Sequence, residues 1–479
     1  MRRVALYDSM AREVREFAPM WSPRVGLFVC GLTPYDEAHL GHGRGFVVFD
    51  MVARALRRWG YRVLYVQSVT NIDDKVIARA AEQGVDPLLL SDRNFRDYLG
   101  LAERLGIRSV NYYGYSTDHL PDILAQVQQL LDRGFAYVAA DGSVYFSVAR
   151  FPAYGRLSGQ KVEALQPGAR LAPDERKAAP EDFVLWKAAR PGEPSWESPW
   201  GPGRPGWHIE DTAITGRIFG PRYDLHGGGL DLIFPHHEAE IAQAESATGA
   251  APLVNYWMHW GLLNFRGEKM SKSVGNTASL AGALDAVGPE VLRFFYLNAH
   301  YRSPLDFDET RSLAEAREAY ARLSRPALRI RELLDRDGEE RPGEDPPAAL
   351  GDAAGDLVEE LDRTLANDFA SREAIALLFG WSRALAEDLD GLSRYSGAAL
   401  ERLEAPYRWG EEVLGLFVRT GSPAGGALAG AVETALAARH RARARGDFAE
   451  ADRIRAELRA AGVDLEDGAT GTRWSRTRT

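Results

Sequence analysis

The sequence has almost no cysteine, no long apolar run and no excess of positive charge. Cys30 is the single cysteine among 479 residues, which excludes an intrachain disulfide and favours a reducing compartment. No apolar stretch approaches the roughly 20 residues of a membrane-spanning helix, and the basic start of the chain is not followed by the apolar core of a signal peptide. These absences predict a cytoplasmic protein that does not associate with a membrane.

The charge is distributed unevenly along the chain. The net charge is −10, so nucleic acid would be repelled at long range and would need a local basic patch to bind. Residues 438–479 hold ten Arg against seven Asp and Glu, a net charge of +3. This asymmetry indicates either a nucleic-acid contact at the C-terminus or a solvated helix face with mixed charges.

The order of sequence patterns predicts an α/β half followed by helical modules. Residues 24–30 form an apolar run typical of a buried strand, 43–59 carry apolar side chains three and four residues apart, and 62–67 alternate like a second strand. This order predicts a doubly wound, Rossmann-like parallel sheet. Residues 136–147 predict a hairpin, and the acidic, Pro- and Gly-rich 335–352 predict a mobile linker.

A loop rich in Gly, Pro and His follows the first predicted strand and ends in His39-Leu40-Gly41-His42. Ligands of parallel sheets bind at the carboxyl ends of the strands, and a helix N-terminus attracts phosphate. Gly41 would let a nucleotide pack on the backbone, and the imidazoles of His39 and His42 could stabilise charge on phosphorus. Taken alone, however, such a tetrapeptide occurs by chance in many loops.

A second motif, Lys269-Met270-Ser271-Lys272-Ser273, follows a strand-like stretch later in the chain. The ammonium groups of Lys269 and Lys272 would suit a mobile clamp on a triphosphate. The alternative is a surface loop with two solvated lysines, which would be the better explanation of a Lys-x-x-Lys pair in an arbitrary sequence.

In this order, the two motifs resemble the HIGH and KMSKS signatures of class I aminoacyl-tRNA synthetases. The resemblance implies that an amino acid carboxylate attacks the α-phosphorus of ATP, which is used with Mg2+, and that the aminoacyl group then passes to the terminal adenosine of a tRNA. It also implies that His39, His42, Lys269 and Lys272 stabilise the adenylation transition state by position and charge.

Nearly the whole chain resembles the cysteinyl-tRNA synthetases. The matching stretches are residues 29–36, 70–75, 205–210, 226–229, 231–238, 446–452 and 471–474. In that family a zinc ion binds the thiolate of the substrate cysteine. The usual ligands are two Cys, one His and one Glu, and they fall here on Cys30, Asp211, His236 and Glu240. Asp211 departs from the family pattern, which has Cys at this place.

The residue types of this set suit zinc, which accepts thiolate, imidazole and carboxylate ligands. His236 and Glu240 are four residues apart and would share one face of a helix. Asp211 would keep the formal charge of the missing thiolate but would make the metal harder. Each residue also has an explanation without a metal. His236 could simply lie at a helix start, Glu240 could be stabilised there by the helix dipole, and Asp211 could cap a helix or lie at the surface.

The same resemblance implies the rest of the binding site. Thr70 and Trp207 would line the amino-acid pocket, and the run Gly227, Gly228 and Gly229 would pass under the adenosine. Glycine runs are more often plain turns, which is the alternative.

The C-terminal region carries many arginines that could contact tRNA phosphates and bases. We expect a helical region over residues 433–458, and the candidate residues are Arg439, Arg441, Arg443, Arg445, Arg453, Arg455 and Trp474. The alternative is an amphipathic helix whose arginines face solvent.

The family pattern implies six segments. They are a first catalytic half (1–117), a connective insertion (118–205), a second catalytic half (206–262), the KMSKS and stem-contact region (263–318), a helical bundle (319–425) and a C-terminal anticodon-binding region (426–479).

The function implied is that of a cysteine–tRNA ligase with one zinc ion per chain, which uses L-cysteine, ATP and tRNA(Cys) and acts as a monomer. One alternative is a ligase that joins cysteine to an amino sugar in thiol biosynthesis. Another is a non-catalytic tRNA-binding paralogue, and a third is the same enzyme with an amino-acid specificity that Asp211 has altered.

Overall fold

The computed structural model describes most of the chain. The described residues are 1–160, 176–265, 268–269, 278–337, 341–387, 389–418, 435–436, 439, 442–443, 447–460, 463–468 and 471–476. They form two compact units, Met1–Phe417 and Val418–Thr479.

The strands and helices follow one another in a mixed order. The strands are β1 (Ala5–Asp8), β2 (Glu13–Glu16), β3 (Arg24–Leu32), β4 (Arg62–Val69), β5 (Tyr112–Tyr115), β6 (Ala136–Val138), β7 (Val144–Phe146), β8 (Phe183–Ala188), β9 (Gly203–Pro205), β10 (Tyr223–Gly229), β11 (Val254–Trp260), β12 (Leu263–Phe265), β13 (Glu268–Lys269), β14 (Leu305–Phe307), β15 (Val463–Gly468) and β16 (Gly471–Arg476). The helices are α1 (Leu40–Arg58), α2 (Asp74–Gln83), α3 (Pro87–Arg104), α4 (Leu120–Asp132), α5 (Ile209–Phe219), α6 (Glu238–Thr248), α7 (Leu280–Val287), α8 (Pro289–Leu297), α9 (Ser312–Asp337), α10 (Ala348–Leu365), α11 (Ser371–Ala386), α12 (Gly397–Trp409) and α13 (Phe448–Ala460).

The centre of the first unit is a five-stranded sheet in the order β11-β10-β3-β4-β5. Every neighbouring pair is parallel, so the predicted parallel α/β fold is confirmed. The inner strand β3 is an almost continuous apolar run because helices or loops cover both of its faces. The carboxyl ends of β3, β4 and β10 therefore meet at one edge, where ligands of such sheets bind.

Helix α1 packs one apolar face against this sheet. Phe46, Phe49, Val52 and Leu56, the positions that predicted the helix, are all buried. The helix begins three residues earlier than the apolar pattern indicated, because His39 caps it. It ends just before Gly60, whose φ of +92° is in the region that favours glycine.

A four-stranded antiparallel sheet, β6-β7-β8-β9, lies in the segment between β5 and α5. The predicted hairpin is present as β6 and β7. Phe146 and Trp186 from this sheet form a buried cluster with residues of α4 and α6, among them Ile123 and Ala239. The sheet is thus anchored beside the edge where the central strands end.

Helices α8 to α12 follow the second motif, as the sequence predicted. The predicted linker 335–352 is shorter than expected, because α9 continues to Asp337 and α10 begins at Ala348. Between them, the Glu344 amide donates to Arg394 O (2.9 Å). The composition of residues 335–352 suggested irregular structure, but their last residues belong to α10.

The C-terminal unit has a small core of its own, formed by Leu436, Ile454, Leu458, Val463 and Leu465. Its strands β15 and β16 pair in antiparallel fashion.

The helical region expected over 433–458 is interrupted at Asp447, which lies outside a helix and whose Oδ1 accepts the Glu450 amide at 3.1 Å. Arg439 is buried rather than solvated, and Arg453 pairs with Glu450 and Glu457. The side chains of Arg441, Arg445 and Trp474 lie outside the described part.

Among the described helices, none is both long enough and apolar enough to cross a membrane.

A buried ion pair connects the first half of the sheet to the helical region. Arg293 of α8 donates to Asp50 Oδ2 of α1 at 2.9 Å and to Leu414 O, after α12, at 2.8 Å. Arg54 also donates to Asp50 Oδ2, at 2.8 Å. Burial alone would raise the pKa of Asp50, but Arg293 and Arg54 hold that pKa below its ordinary value. The pair therefore exists in its charged form and depends on both partners.

Replacing Arg293 with Met should lower the free energy of unfolding by about 3–5 kcal/mol, because Asp50 would stay buried without its main partner. Urea denaturation followed by tryptophan fluorescence measures this. The matched control is Arg104→Met, which breaks an exposed pair with Asp285 and should cost less than about 1 kcal/mol. Equal effects of the two substitutions would contradict the assigned role of Arg293.

Candidate metal and nucleotide site

A cluster of buried ionisable side chains lies where the central strands end. Cys30 comes near the end of β3, Asp211 lies in the first turn of α5, and His236 lies in the kinked segment Ile233–His237 that precedes α6. Glu240 lies in the first turn of α6. The structure thus brings together all four residues that the sequence predicted as metal ligands, and one possible ligand atom from each lies within 4.8 Å of the others.

The contacts within this set are short. His236 Nε2 lies 3.2 Å from Asp211 Oδ2 and 3.6 Å from Glu240 Oε1. The helical spacing of His236 and Glu240 places both side chains on one face although the regular helix begins only at Glu238.

Two further histidines approach the same cysteine, and the sequence analysis did not choose them as ligands. Cys30 Sγ lies 3.3 Å from His226 Nε2 and 3.2 Å from His237 Nε2. With Glu240 these residues form a second possible ligand set. His226 comes close to Cys30 because it pairs in register with Phe28, two residues before Cys30 and on the same face of the sheet.

Outer partners orient the imidazoles. His226 Nδ1 lies 2.6 Å from the Tyr223 hydroxyl, and His237 Nδ1 lies 2.8 Å from His259 Nε2. His236 Nδ1 lies 2.8 Å from His208 Nδ1. In each case Nδ1 is engaged by a neighbour and Nε2 points into the cluster, an arrangement that is usual for metal-binding histidines.

Burial controls the protonation of the cluster. Burial, followed by the nearby Glu240 and Asp211, raises the pKa of the Cys30 thiol well above its ordinary value. Burial and Asp211 do the same for Glu240, and burial lowers the pKa of His226 and His237 so that both rings are neutral. A divalent cation would reverse the effect on the acids, because it stabilises the ionised thiol and carboxyls.

Several carboxylate oxygens of the cluster have no hydrogen bond within the described part of the chain. They are Asp211 Oδ1, Glu240 Oε1 and Glu240 Oε2. A buried polar atom without a partner is costly and calls for an explanation. Together with a cysteine and neutral imidazoles, these oxygens form a donor set that fits a zinc-like ion.

The nucleotide motif begins α1 through reciprocal hydrogen bonds. His39 Nδ1 accepts the Gly41 amide at 3.1 Å, and His42 Nδ1 accepts the His39 amide at 3.2 Å. The two rings stack with centroids 3.7 Å apart. Since Nδ1 accepts in both rings, the proton of each neutral imidazole lies on Nε2, which is a donor suited to a phosphate oxygen.

Backbone pairing fixes both sides of the second motif. On one side, Lys269 pairs with Asn264 across the β12–β13 hairpin. On the other side, Ser279 forms a bridge to His39, and Leu40 N donates to Ala278 O at 3.0 Å. Lys272 and the side chain of Lys269 lie outside the described part. Residues 278 and 279, which follow the motif, thus lie at the start of α1.

The predicted amino-acid pocket residues lie at the same edge. Thr70 follows β4, is buried, and donates its amide to Leu32 O at 3.1 Å. Trp207 is 40% exposed and stacks on His236 with centroids 4.4 Å apart. Trp207 therefore lies between His236 and solvent.

The glycine run on β10 is required by the packing of the protein itself. A Cβ on Gly227 would lie 2.3 Å from the Phe49 ring, and one on Gly228 would lie 2.4 Å from the His237 ring. A Cβ on Gly229 would lie 2.6 Å from Asp231 Oδ1. Glycine at the first two positions thus lets α1 and His237 pack close to the strand.

Comparison with known families covers most of the chain. Residues 16–318 match the family of class I tRNA synthetase (C) catalytic domains, and residues 426–474 match the cysteinyl-tRNA ligase anticodon binding domain. The cysteine–tRNA ligase of Alkalilimnicola ehrlichii is 44% identical over 98% of this chain and 99% of its own length. The chain belongs to the cysteine–tRNA ligase family.

Other members of the family are similar over the same extent. The cysteine–tRNA ligase of Methylococcus capsulatus is 45% identical, and that of Thermoplasma acidophilum is 41% identical, each over 98% of this chain and 99% of its own length. Among solved structures, the Mycobacterium tuberculosis methionyl-tRNA synthetase in complex with methionyl-adenylate shares the fold, with a TM-score of 0.63 and 18% identity over 82% of this chain and 92% of that one.

In this member of the cysteine–tRNA ligase family, Glu238 connects a loop of the segment between β7 and β8 to the helix that carries Glu240. Its carboxylate accepts the backbone amides of Gly155 (2.7 Å), Leu157 (2.5 Å) and Ser158 (2.7 Å). Glu238 follows His237 directly and precedes Glu240 by two residues. The loop is therefore held against the helix that carries the predicted metal ligands.

Replacing Glu238 with Ala should lower the free energy of unfolding by about 3 kcal/mol, because three amides, two of them buried, would lose a charged acceptor. Thermal or urea denaturation measures the loss. Glu82→Ala is the control, since Glu82 forms only an exposed pair with Arg79, and it should change stability by no more than about 0.5 kcal/mol. A Glu238 variant as stable as that control would refute the anchoring role.

Proposed function

We propose that this chain is a cysteine–tRNA ligase that activates L-cysteine with ATP to give cysteinyl-adenylate and transfers the cysteinyl group to tRNA(Cys). The observation that supports this most strongly is the buried cluster of Cys30, Asp211, His236 and Glu240, which lies in a chain with full-length similarity to cysteine–tRNA ligases. A cluster with this donor chemistry is what selection of a thiol requires.

Cys30, Asp211, His236 and Glu240 would hold one zinc ion per chain. When bound there, zinc supplies a Lewis acid that binds the thiolate of cysteine more strongly than the hydroxyl of serine. The burial of the cluster excludes water from the ligands and strengthens their electrostatic interactions. Trp207, which stacks on His236, would cover the amino-acid pocket, and Thr70 would line it.

The chemistry of activation would take place at the start of α1. The Nε2 atoms of His39 and His42 would donate to phosphate oxygens of ATP bound with Mg2+, and Lys269 and Lys272 would neutralise the triphosphate. Gly41 and the run from Gly227 to Gly229 would lie beside the nucleotide. Because the cysteine carboxylate is itself the nucleophile, the protein contributes position and electrostatic stabilisation rather than a covalent intermediate.

The tRNA would be bound by several segments. Their proposed bounds are 1–117 and 206–262 for the catalytic halves, 118–205 for the connective insertion, 263–318 for the stem-contact region, 319–425 for the bundle and 426–479 for the anticodon region. The match of residues 426–474 to an anticodon binding domain supports the last of these. The proposal includes action as a monomer in the cytoplasm, in accord with a single cysteine that is buried and free.

The alternatives are less well supported. A ligase that joins cysteine to an amino sugar would lack the anticodon module that residues 426–474 match. A non-catalytic tRNA-binding paralogue would have no need of the buried ligand cluster or of the capped histidine motif.

The decisive assay is cysteine-dependent ATP–pyrophosphate exchange and charging of tRNA(Cys), together with metal analysis of the purified chain. We expect about one zinc per chain, and Cys30→Ala should lose both the metal and the exchange because it removes the thiolate. Ser22→Ala, an exposed position that precedes β3, is the control. A metal-free chain that still charges cysteine would exclude the proposed role of zinc.

Deleting residues 418–479 should separate the two steps of the reaction. The first unit, Met1–Phe417, is compact without them, so exchange should persist within about twofold, whereas kcat/KM for tRNA charging should fall by at least about a hundredfold as contacts to the tRNA are lost. Charging kinetics with transcribed tRNA(Cys) measure this. Undiminished charging by the shortened chain would rule out a tRNA-binding role of the C-terminal unit.

A further inference from the structure

We propose that the metal of this centre has two overlapping ligand sets that share Cys30 and Glu240, so that His226 and His237 can hold the ion without Asp211. The proposal rests on the function proposed above, because it concerns the same buried centre. It goes further in assigning two additional metal-binding residues and in explaining how the chain can do without a second thiolate.

The geometry supports two ligand sets that share Cys30 and Glu240. The Cys30 thiol lies 3.3 Å from His226 Nε2 and 3.2 Å from His237 Nε2. The two oxygens of Glu240 face in different directions: Oε2 lies 3.5 Å from His226 Nε2, and Oε1 lies 3.6 Å from His236 Nε2. One carboxylate therefore spans the His226 side and the His236 side of the cluster.

The outer contacts prepare His226 and His237 for metal binding. Nδ1 of His226 meets the Tyr223 hydroxyl at 2.6 Å, and Nδ1 of His237 meets His259, whose own Nδ1 lies 2.7 Å from Ser9 Oγ. If each Nδ1 carries the proton, each Nε2 presents a lone pair to the side of Cys30. This is the second layer of contacts that normally fixes a metal-binding histidine.

The charge of the ligands also favours the second set. A thiolate with the carboxylates of Asp211 and Glu240 leaves one negative charge in excess of a divalent cation. The thiolate, Glu240 and two neutral imidazoles balance the cation, and Asp211 then stays outside the ligand set, 3.2 Å from His236 Nε2. In a site this deeply buried, excess charge is costly. Asp211 contributes a hard oxygen, so each ligand set contains one sulfur, that of Cys30. The first set therefore lacks the affinity for a soft metal that a second thiolate would give it.

The test is the zinc affinity of full-length variants, measured by competition with a chromophoric chelator. Asp211→Asn should raise the dissociation constant by less than about tenfold, because the second set remains. Asp211→Asn combined with His226→Gln should raise it by more than about a hundredfold, and so should Glu240→Gln alone, since both sets need that carboxylate. Glu210→Gln, an equally buried neighbour outside both sets, is the matched control and should leave the affinity unchanged.

Two outcomes would overturn the proposal. One is loss of zinc from Asp211→Asn alone, and the other is a double variant that binds zinc as tightly as Asp211→Asn. Near-ultraviolet circular dichroism checks that each variant is folded. If the double variant does not fold, X-ray absorption of zinc-loaded Asp211→Asn decides instead, since two bound imidazoles support the proposal and one contradicts it.

The proposed function can fail independently of this inference. It fails if the wild-type chain shows no cysteine-dependent exchange, whereas the ligand-set proposal is decided by metal retention in the variants and does not require activity.

Discussion

Ionisable side chains are forced together, out of contact with water, where β3 and β10 end. Burial raises the pKa of Cys30 and of Glu240 and lowers the pKa of His226 and of His237. Asp211 lies in the same buried cluster. Asp211 Oδ2 lies 3.2 Å from His236 Nε2, and the Glu240 carboxylate lies 3.5 Å from His226 Nε2 and 3.6 Å from His236 Nε2. A protein tolerates such a cluster when a cation compensates it, because unpaired buried acids cost several kcal/mol. The strands and helices that meet at this cluster therefore depend on compensation of its buried acids.

The sheet connects this cluster to the nucleotide motif. Cys30 lies near the end of β3, and the loop that follows leads within nine residues to His39, the cap of α1. The bridge from His39 to Ser279 places a residue that follows the second motif beside the start of α1. A substrate whose thiol lies at the cluster would therefore direct its carboxylate toward the start of α1. Glu238 adds the loop at residues 155–158 to this assembly from the other side.

Much of the fold and of the site could be predicted from the sequence, because strong local patterns encode them. The apolar run of β3 and the spacing in α1 are short-range features, and the structure confirms the elements they predicted. The four residues expected to bind metal come together, although separate strands and helices carry them. Their roles as ligands remain a prediction that the experiments above address.

Other features depended on contacts between distant residues. His226 and His237 approach Cys30 only through the register of β10 against β3 and the turn before α6, which no local pattern reveals. The glycines of β10 were attributed to the nucleotide, whereas Phe49 and His237 already require two of them. Arg439 looked like a solvated contact for tRNA but is buried. The break at Asp447 depends on a capping contact that a charge pattern alone does not distinguish from a continuous helix.

The central claim is that a metal in this buried cluster recognises the thiol of the substrate. Cobalt(II) can replace zinc in such a centre and reports thiolate ligands through charge-transfer absorption in the near ultraviolet. Titrating the cobalt-loaded chain with L-cysteine should strengthen this band, because a second thiolate joins Cys30 on the ion, whereas L-serine should leave it unchanged. A spectrum that does not respond to cysteine, or that responds equally to serine, would contradict the account.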